Sequence, residues 1–175
     1  MACSITDFTL DCREDVGGVK RAFLYAGSDF TVTATAGVVT SFSIDDNDTP
    51  VTISSIALLE ENLVEIQQPN QTAGVAETGN FSTENGTAFY QTDLTILLNS
   101  LLPAQLQNIT NIGRNHRLLV VVEDNNGNYL FVGNDNGALV TASAGGLGTN
   151  FGDRVGHMMT VTGFHKETMW HFDPA

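Results

Sequence analysis

The amino-acid sequence predicts a mainly β protein, a β-sandwich or rolled antiparallel sheet with one short flanking α-helix. Three observations support this fold class. Apolar and polar residues alternate with period two over several segments, as they do in half-buried strands. Asn-Gly pairs separate some of these segments, as they do in tight hairpins. Only segment 102–112 has the apolar spacing of a convincing helix.

The chain has 175 residues and a mean hydropathy near zero, which fits a globular protein with a core of its own. We predict a single β-rich domain over 1–165 and a polar C-terminal tail over 166–175. No apolar run approaches the roughly 18 residues that cross a bilayer. The N-terminus lacks the basic and apolar regions of a signal peptide. We therefore expect a soluble chain that folds in a cytoplasm and has no membrane partner.

The first half of the chain contains one clear hairpin signal. Segments 30–36 and 38–44 are rich in β-formers and flank Gly37. Segment 51–66 stays ambiguous, because a helical turn and two strand-like pieces both fit it. Segment 67–86 has little apolar content and several glycines, which predicts a long loop or arm that becomes ordered only between subunits.

The second half of the chain has the clearer pattern. Pro103 and Gly113 suit the start and the end of the helix, and we expect Leu106 and Ile109 to be buried against a sheet. Asn126-Gly127 is a hairpin turn between two strands. The predicted strands are 88–98, 117–123, 128–133, 138–142 and 154–164.

Charge is the most informative bulk property. The net charge is −13, which argues against ordinary nucleic-acid binding, because phosphate contacts need Lys and Arg. No Lys or Arg occurs between Ala22 and Gly113. This acidic span has two interpretations: a solvated face that aids solubility, or a surface that repels a polyanion moving past it.

Motifs of catalysis and metal binding are incomplete in this sequence. The runs 45–48 and 124–128 resemble calcium-loop fragments but lack the downstream Glu. The glycine-rich run 145–152 has no Gly-Lys-Ser/Thr, and a strand follows it. Cys3 and Cys12 have no metal-ligand spacing and fit either free thiols or a local bridge. We predict no catalytic, metal or cofactor site, and no enzyme.

The tail contains an apolar cluster that includes Trp170 and Phe172. It either packs back onto its own domain or docks on a neighbouring chain, since exposed aromatic residues often mark interfaces. Both alternatives stay open at this point.

Several motifs together resemble one family. They are Val121 to Gly127, Asn136-Gly137, Phe151 to Arg154, Met159 to Gly163, and the opening Met1 to Ile5 with Asp11-Cys12 and Gly17 to Lys20. The pattern, over roughly 1–25 and 85–165, resembles virion structural proteins of tailed bacteriophages, especially those infecting Bacteroidota. It is most similar to tail-tube subunits.

The resemblance implies a self-assembling structural protein. Tail-tube subunits form a hexameric ring with a ring-shaped inner β-barrel, and stacked rings conduct DNA without binding it specifically. The partners implied are copies of the chain itself and other tail or neck proteins. The location implied is the virion tail, after synthesis in the bacterial host cytoplasm. The alternatives are a head decoration, neck or tail-terminator protein, or a monomeric ligand-binding β domain.

A tube that conducts DNA needs a lumen that does not hold phosphate, and subunits that hold each other. As lumen-facing acids we predict Asp45, Asp46 and Asp48, because one turn can project them together. The candidate inter-subunit residues are Arg114, Arg117, Trp170 and Phe172.

Overall fold

The computed structural model describes residues 16–27, 29–46, 48–69, 71–98 and 102–174. Cys3, Cys12 and the motifs before residue 16 lie outside the described residues. In chain order the elements are β1 Val19–Tyr25, β2 Phe30–Val32, β3 Val38–Val39, β4 Phe42–Asp46, β5 Thr49–Ile53, α1 Ile56–Asn62, β6 Val64–Gln67, β7 Gly74–Ser82, β8 Thr87–Leu98, α2 Pro103–Arg114, β9 Leu119–Asp124, β10 Tyr129–Val132, β11 Ala138–Gly146, β12 Gly156–His165 and β13 His171–Phe172.

The central layer is a six-stranded sheet in the order β3-β13-β10-β9-β1-β6. The first five residues of β9, Leu119 to Glu123, are buried. A strand that is covered on both faces needs a continuous apolar run instead of an alternating one. The run of valines in β9 meets this need and places the strand in the middle of the molecule.

Alternate residues of the central sheet face two different apolar clusters. Phe23 and Phe131 both stand opposite Val121, and all three belong to one cluster. Val132 stands opposite Val120, and both belong to the other cluster. Because successive strand residues point to opposite faces, the central sheet separates two cores.

One core lies between the central sheet and a three-stranded sheet in the order β2-β4-β5. The ring of Phe42 meets the rings of Phe131 and Phe172 edge-on, with centroids 5.3 Å away in both cases. Helix α1 adds Leu59, which is fully buried. The ambiguous segment 51–66 is therefore strand, helix and strand in turn, and the helical turn that the sequence left open is a second helix of the fold.

The predicted hairpin around Gly37 is a tight turn whose two strands then separate. Ala36 and Gly37 have φ values of 53° and 80°, and Thr35 bridges Val38. Beyond this bridge, β2 pairs with β4, whereas β3 pairs with β13 of the central sheet. The turn thus carries the chain from one layer to the next.

The other core lies between the central sheet and a four-stranded sheet in the order β11-β12-β8-β7. The two sheets approach closely at Gly133 and Gly163, where a Cβ on Gly163 would lie 2.5 Å from the Cα of Gly133. All strand pairs in this sheet are antiparallel. The mainly β prediction is confirmed, although the described strands of one chain do not close into a barrel.

Helix α2 agrees with the prediction in position but not in packing. It spans Pro103–Arg114, with Ile112 buried and Ile109 partly buried against the core. Leu106 is exposed, so the prediction that it packs against a sheet is wrong. The helix buries its apolar residues against the core in its C-terminal half, whereas Leu102 and Leu106 are exposed.

The segment 67–86 is not a long loop, which corrects the prediction of a loop or arm that becomes ordered only between subunits. It contains β6's last residue and the whole of β7, which pairs with β8 from Gly74↔Thr95 to Ser82↔Thr87. Only the short turn 83–86 separates the two strands. Backbone pairing with a long neighbour orders a strand that has little apolar content of its own.

The segment 166–174 is part of the fold and not a free tail. β13 pairs with β10 on one side and with β3 on the other. Phe172 is buried in the core beside Phe42 and Phe131, and Trp170 is partly buried against the same cluster. Packing onto its own domain, one of the two alternatives, is what this segment does.

Candidate assembly interface

The four-stranded sheet extends beyond the core that it covers. Leu94, Ile96, Met159 and Val161 in its middle are buried. The hairpin β7–β8 continues past this core at one end of the sheet and finishes in the turn 83–86. The hairpin β11–β12 continues past it at the opposite end and finishes in the loop 147–155.

The two edges of this sheet, β7 and β11, have no further partner strand among the described residues, although Ala138 at the start of β11 forms an isolated bridge with Leu118. Each edge strand has nine residues. β11 contains no charged residue and no proline, and β7 contains a single charge at Glu77. Edge strands usually carry lysines or prolines that prevent pairing with other chains. These two edges have other protective features, the inward-pointing charge of Glu77 in β7 and a register irregularity between Val140 and Ala142 in β11.

The outer face of the sheet, turned away from the core, carries polar residues together with the exposed Phe89, Met158 and Phe164, and its described residues include no cation. Thr78, Thr95 and Thr160 lie on it, and Asp93 is its only charged residue. The Asp93 carboxylate accepts hydrogen bonds from the Thr162 hydroxyl at 2.6 Å and from the Gln91 amide at 3.0 Å. Among the described residues, no Lys or Arg lies on this face.

The inner face carries a buried polar cluster that attaches the segment after β12. His165 Nε2 lies 2.6 Å from the Thr92 hydroxyl, and both residues are buried. The Glu77 carboxylate accepts the backbone N–H of Met169 at 2.8 Å. The backbone carbonyl of Glu167 contacts His165 Nδ1. Because the cluster is buried, it holds the segment in place and offers no open site to a substrate. No residue spacing in the sequence indicates this cluster.

A second polar cluster lies at the rim of the other core. Arg21 contacts the carboxylates of Glu123, Glu60 and Glu65, and donates to the Tyr129 hydroxyl at 3.1 Å. Burial lowers the pKa of Arg21, but hydrogen bonds with Glu123, Tyr129 and Glu60 outweigh it and raise the pKa above its usual range. The cluster stabilises the buried carboxylate of Glu123 and links α1 to the central sheet.

Two turns are each built around one aspartate. Asp124 accepts the backbone N–H groups of Asn126 and Asn128, both at 2.8 Å. Partial burial raises the pKa of Asp124, but these hydrogen bonds outweigh it and lower the pKa below its usual value. The run 124–128 is thus hairpin chemistry, as the sequence indicated.

Asp153 has the same role in the loop 147–155. It accepts the backbone N–H groups of Asn150 at 2.8 Å and Thr149 at 2.7 Å, and these bonds lower its pKa. Gly148 has a φ of 72°, and a Cβ there would lie 2.4 Å from the Cβ of Asp153. The glycine-rich run is therefore a folded turn.

The three predicted lumen acids lie on the three-stranded sheet, on the opposite side of the central sheet from β7 and β11. Asp45 and Asp46 end β4, and Asp48 occupies the turn with a φ of 62°. The Oδ1 atom of Asp45 is buried and has no hydrogen-bond partner among the described residues, whereas Asp48 is exposed. These two carboxylates do not form one exposed cluster.

The four predicted inter-subunit residues differ in their surroundings. Arg117 stacks over the Phe30 ring at 3.9 Å and donates to the carbonyl of Asp135 at 2.7 Å, within its own chain. Phe172 is a core residue, which corrects its assignment to an interface. Trp170 is partly buried, and its indole N–H donates to Glu167. Arg114 ends α2 and is exposed, and its role stays a prediction.

Within the part of the chain that the structure describes, no three His, Cys, Asp or Glu side chains are grouped so that they could hold a metal ion. Neither described helix has the length and apolar character needed to cross a membrane. No known family model matches the chain, and no curated protein matches it significantly. The sheet with two free edges is the most distinctive surface of the described residues.

Proposed function

We propose that this chain is a tail-tube subunit of a tailed bacteriophage and that its copies join edge to edge through the four-stranded sheet. The observation that carries this proposal is the pair of long edge strands without lysine or proline, β7 and β11, on a sheet that extends beyond its core. Unpaired backbone N–H and C=O groups on such an edge favour pairing with another strand. Pairing β7 of one copy with β11 of the next satisfies both edges at once.

Strand direction supports a closed ring. The sheet has an even number of strands that alternate in direction, so β11 and β7 run oppositely. Under rotational symmetry, β7 of one copy and β11 of its neighbour are therefore antiparallel, and the ring is antiparallel throughout. A hexamer contains roughly 24 strands, which at about 4.8 Å spacing and about 40° tilt enclose a barrel about 48 Å across. This width admits a DNA duplex after the side chains are subtracted.

The outer face of the sheet becomes the lumen of this ring. Its threonines and the single acid Asp93 offer no cation to phosphate, so DNA gains no counterion release by touching the wall. Asp45, Asp46 and Asp48 then lie on the outer layer, beyond the central sheet. In this arrangement Asp93 replaces them as the lumen acid.

Electron microscopy of the purified protein in negative stain is the direct test. Stacked tubes support the tail-tube function. Single rings that never stack favour the alternative of a tail terminator or neck protein. A uniform monomer at all concentrations contradicts the proposal and favours a monomeric binding domain.

Proline substitutions locate the contact. Neighbouring residues of an edge strand point their N–H groups in opposite directions, so one of Ala142 and Ser143 points away from β12. We expect that proline at this outward position abolishes rings and leaves the melting temperature of the monomer unchanged. Proline at the other position breaks a bond to β12 and lowers the melting temperature. Rings formed by both Ala142→Pro and Ser143→Pro would contradict edge pairing.

A further inference from the structure

Three Asn-Gly pairs occur in the sequence, and each lies in a turn between two strands. The pairs begin at Asn85, Asn126 and Asn136. Asparagine before glycine can lose its side-chain amide without an enzyme. The backbone nitrogen of the glycine attacks the side-chain carbonyl carbon, and no Cβ on the glycine obstructs the approach. The structure gives the three pairs different surroundings, so we expect their reactivities to differ.

The pair at Asn126 is exposed but held by hydrogen bonds at both reacting groups. The Asn126 Oδ1 atom accepts the backbone N–H of Val16 at 2.8 Å. The Gly127 N–H donates to the backbone carbonyl of Asp124 at 3.3 Å. Since an N–H that donates a hydrogen bond must leave its acceptor before its nitrogen can react, the turn opposes the attack.

The pair at Asn136 is held in the same way and is also partly enclosed. The side-chain amide of Asn136 donates to the carbonyl of Phe164 at 2.9 Å, and the Gly137 N–H donates to the carbonyl of Gly133 at 3.2 Å. Gly137 is buried, and a Cβ on it would lie 2.9 Å from the carbonyl oxygen of Leu118. The fold therefore fixes the side chain and screens the attacking nitrogen from solvent.

The pair at Asn85 has neither restraint. It occupies the turn 83–86 at the end of the β7–β8 hairpin, and both of its residues are exposed. Among the described residues, the one hydrogen bond of Asn85 runs from its backbone N–H to the Ser82 hydroxyl at 3.3 Å, so its side-chain amide is free. No described backbone carbonyl in the turn accepts the Gly86 N–H. A Cβ on Gly86 would meet no atom within 4 Å beyond its chain neighbours, so solvent reaches both reacting groups.

We propose that Asn85 is a site of spontaneous deamidation and that the fold protects Asn126 and Asn136 from the same reaction. Hydroxide removes the proton of the Gly86 N–H, and the nitrogen forms a bond to Cγ of Asn85. The bond from Cγ to Nδ2 then breaks, and Nδ2 takes a proton from water and leaves as ammonia. Water opens the cyclic imide at either carbonyl and yields aspartate or isoaspartate.

The product should alter the tip of the hairpin and leave its base unchanged. Both isomers add a negative charge next to Glu84, and isoaspartate also adds a methylene group to the main chain of the turn. The pair Ser82↔Thr87 adjoins the turn, whereas the pair Gly74↔Thr95 lies at the far end of β7. The site does not depend on the tail-tube function, because the turn lies outside the paired strands.

Ageing of the full chain at mildly alkaline pH, followed by peptide mapping with mass spectrometry, tests the proposal. We expect Asn85 to deamidate at least about tenfold faster than Asn126 or Asn136, since each of those pairs must first break at least two hydrogen bonds. The Asn85 peptide should contain isoaspartate, which direct hydrolysis of the amide does not produce. Equal rates at the three sites, a faster rate at either protected site, or a product without isoaspartate would overturn the proposal.

Unfolding provides the matched control, because all three pairs consist of the same two residues. In urea the three rates should converge, and a difference that persists would show that the fold is not its cause. The variant Asn85→Gln should not react at this position, because its longer side chain would have to close a larger ring. After equal ageing, amide exchange at Ser82 and Thr87 should be faster in the parent than in this variant, and equal at Leu94. Equal exchange at all three amides would contradict the change at the tip of the hairpin.

Discussion

Strand β9 of the central sheet and strand β11 of the four-stranded sheet differ in how much of each strand is buried. β9 is buried on both faces and consists of apolar residues up to its last two acids. In β11 only Ala138 is buried, and the six residues from Thr141 to Gly146 are exposed. The first strand contributes its side chains to two cores, whereas the second presents backbone to solvent. The difference shows that the central sheet supplies most of the two cores, whereas the outer strands of the four-stranded sheet contribute little to them.

We expect this difference in burial to place the residues that determine stability and the residues that determine assembly in different sheets. Changes in the central sheet should alter the free energy of unfolding and affect assembly only through it. Changes in the projecting hairpins of the four-stranded sheet should alter assembly at nearly constant stability. The following variants test this separation, in descending order of expected effect.

Replacing a phenylalanine with alanine in the core and in the exposed loop should give the largest difference in the free energy of unfolding. Phe131 is fully buried between two aromatic neighbours, so Phe131→Ala should lower the free energy of unfolding by about 3–5 kcal/mol. Phe151→Ala, in the exposed loop, should change it by less than about 0.5 kcal/mol. Urea unfolding measures both values. Similar losses in the two variants would refute the separation.

A substitution in the Arg21 cluster should cause the next largest loss in the free energy of unfolding. Arg21→Met leaves the buried carboxylate of Glu123 without its main partner, and we expect a loss of about 2–4 kcal/mol. Lys20 contacts the same carboxylate from an exposed position, so the control Lys20→Met should cost less than about 1 kcal/mol. Thermal unfolding at neutral pH distinguishes them. An Arg21 variant as stable as the control would show that Glu123 is not held by this cluster.

Helix α2 provides a smaller contrast within one element. Ile112→Ala removes a buried side chain and should cost about 2–3 kcal/mol. Leu106→Ala removes an exposed one and should cost less than about 1 kcal/mol. Chemical denaturation of the two variants measures the difference. A larger loss for Leu106→Ala would mean that the helix packs through its N-terminal half.

The turns around Asp124 and Asp153 should both lose stabilising hydrogen bonds when the pH is lowered. A carboxyl whose pKa is lowered by folding stabilises the fold above its unfolded pKa of about 3.9, and this contribution is lost as the pH falls through the folded pKa. The amide protons of Thr149 and Asn126 should therefore shift below about pH 4, as measured by NMR titration. The variant Asp153→Ala should remove the response of Thr149 only. A response that persists in it would place the titrating group elsewhere.

Periodicity predicted the strands of the second half because their alternation coincides with burial. The predicted strand 88–98 lies within β8, and the helix 102–112 overlaps α2. Periodicity did not predict β7, because this strand forms by pairing with β8 and has few apolar residues of its own. It also failed for Leu106, since helical spacing identifies an apolar face but not whether anything covers it.

The proposed assembly surfaces are only partly visible in the sequence. The cation-free span from Ala22 to Gly113 indicates an acidic surface, but sheet order decides which acids share a face. Sequence alone therefore does not distinguish Asp93, on the outer face of the four-stranded sheet, from Asp45, on the three-stranded sheet. The missing charges of β11 are a signal that sequence reasoning could have used, because a long edge strand without lysine or proline is unusual.

The pairing of β13 with β3 has a consequence for how the protein is made. Val38 and His171 are partners across roughly 130 residues of chain, so the central sheet stays incomplete until the ribosome has produced nearly the whole domain. At about 5–20 residues per second this delay is roughly 7–26 s. During that time β13, the strand that lies between β3 and β10 in the sheet, has not yet been synthesised. Each chain therefore completes its central sheet only after synthesis has reached β13.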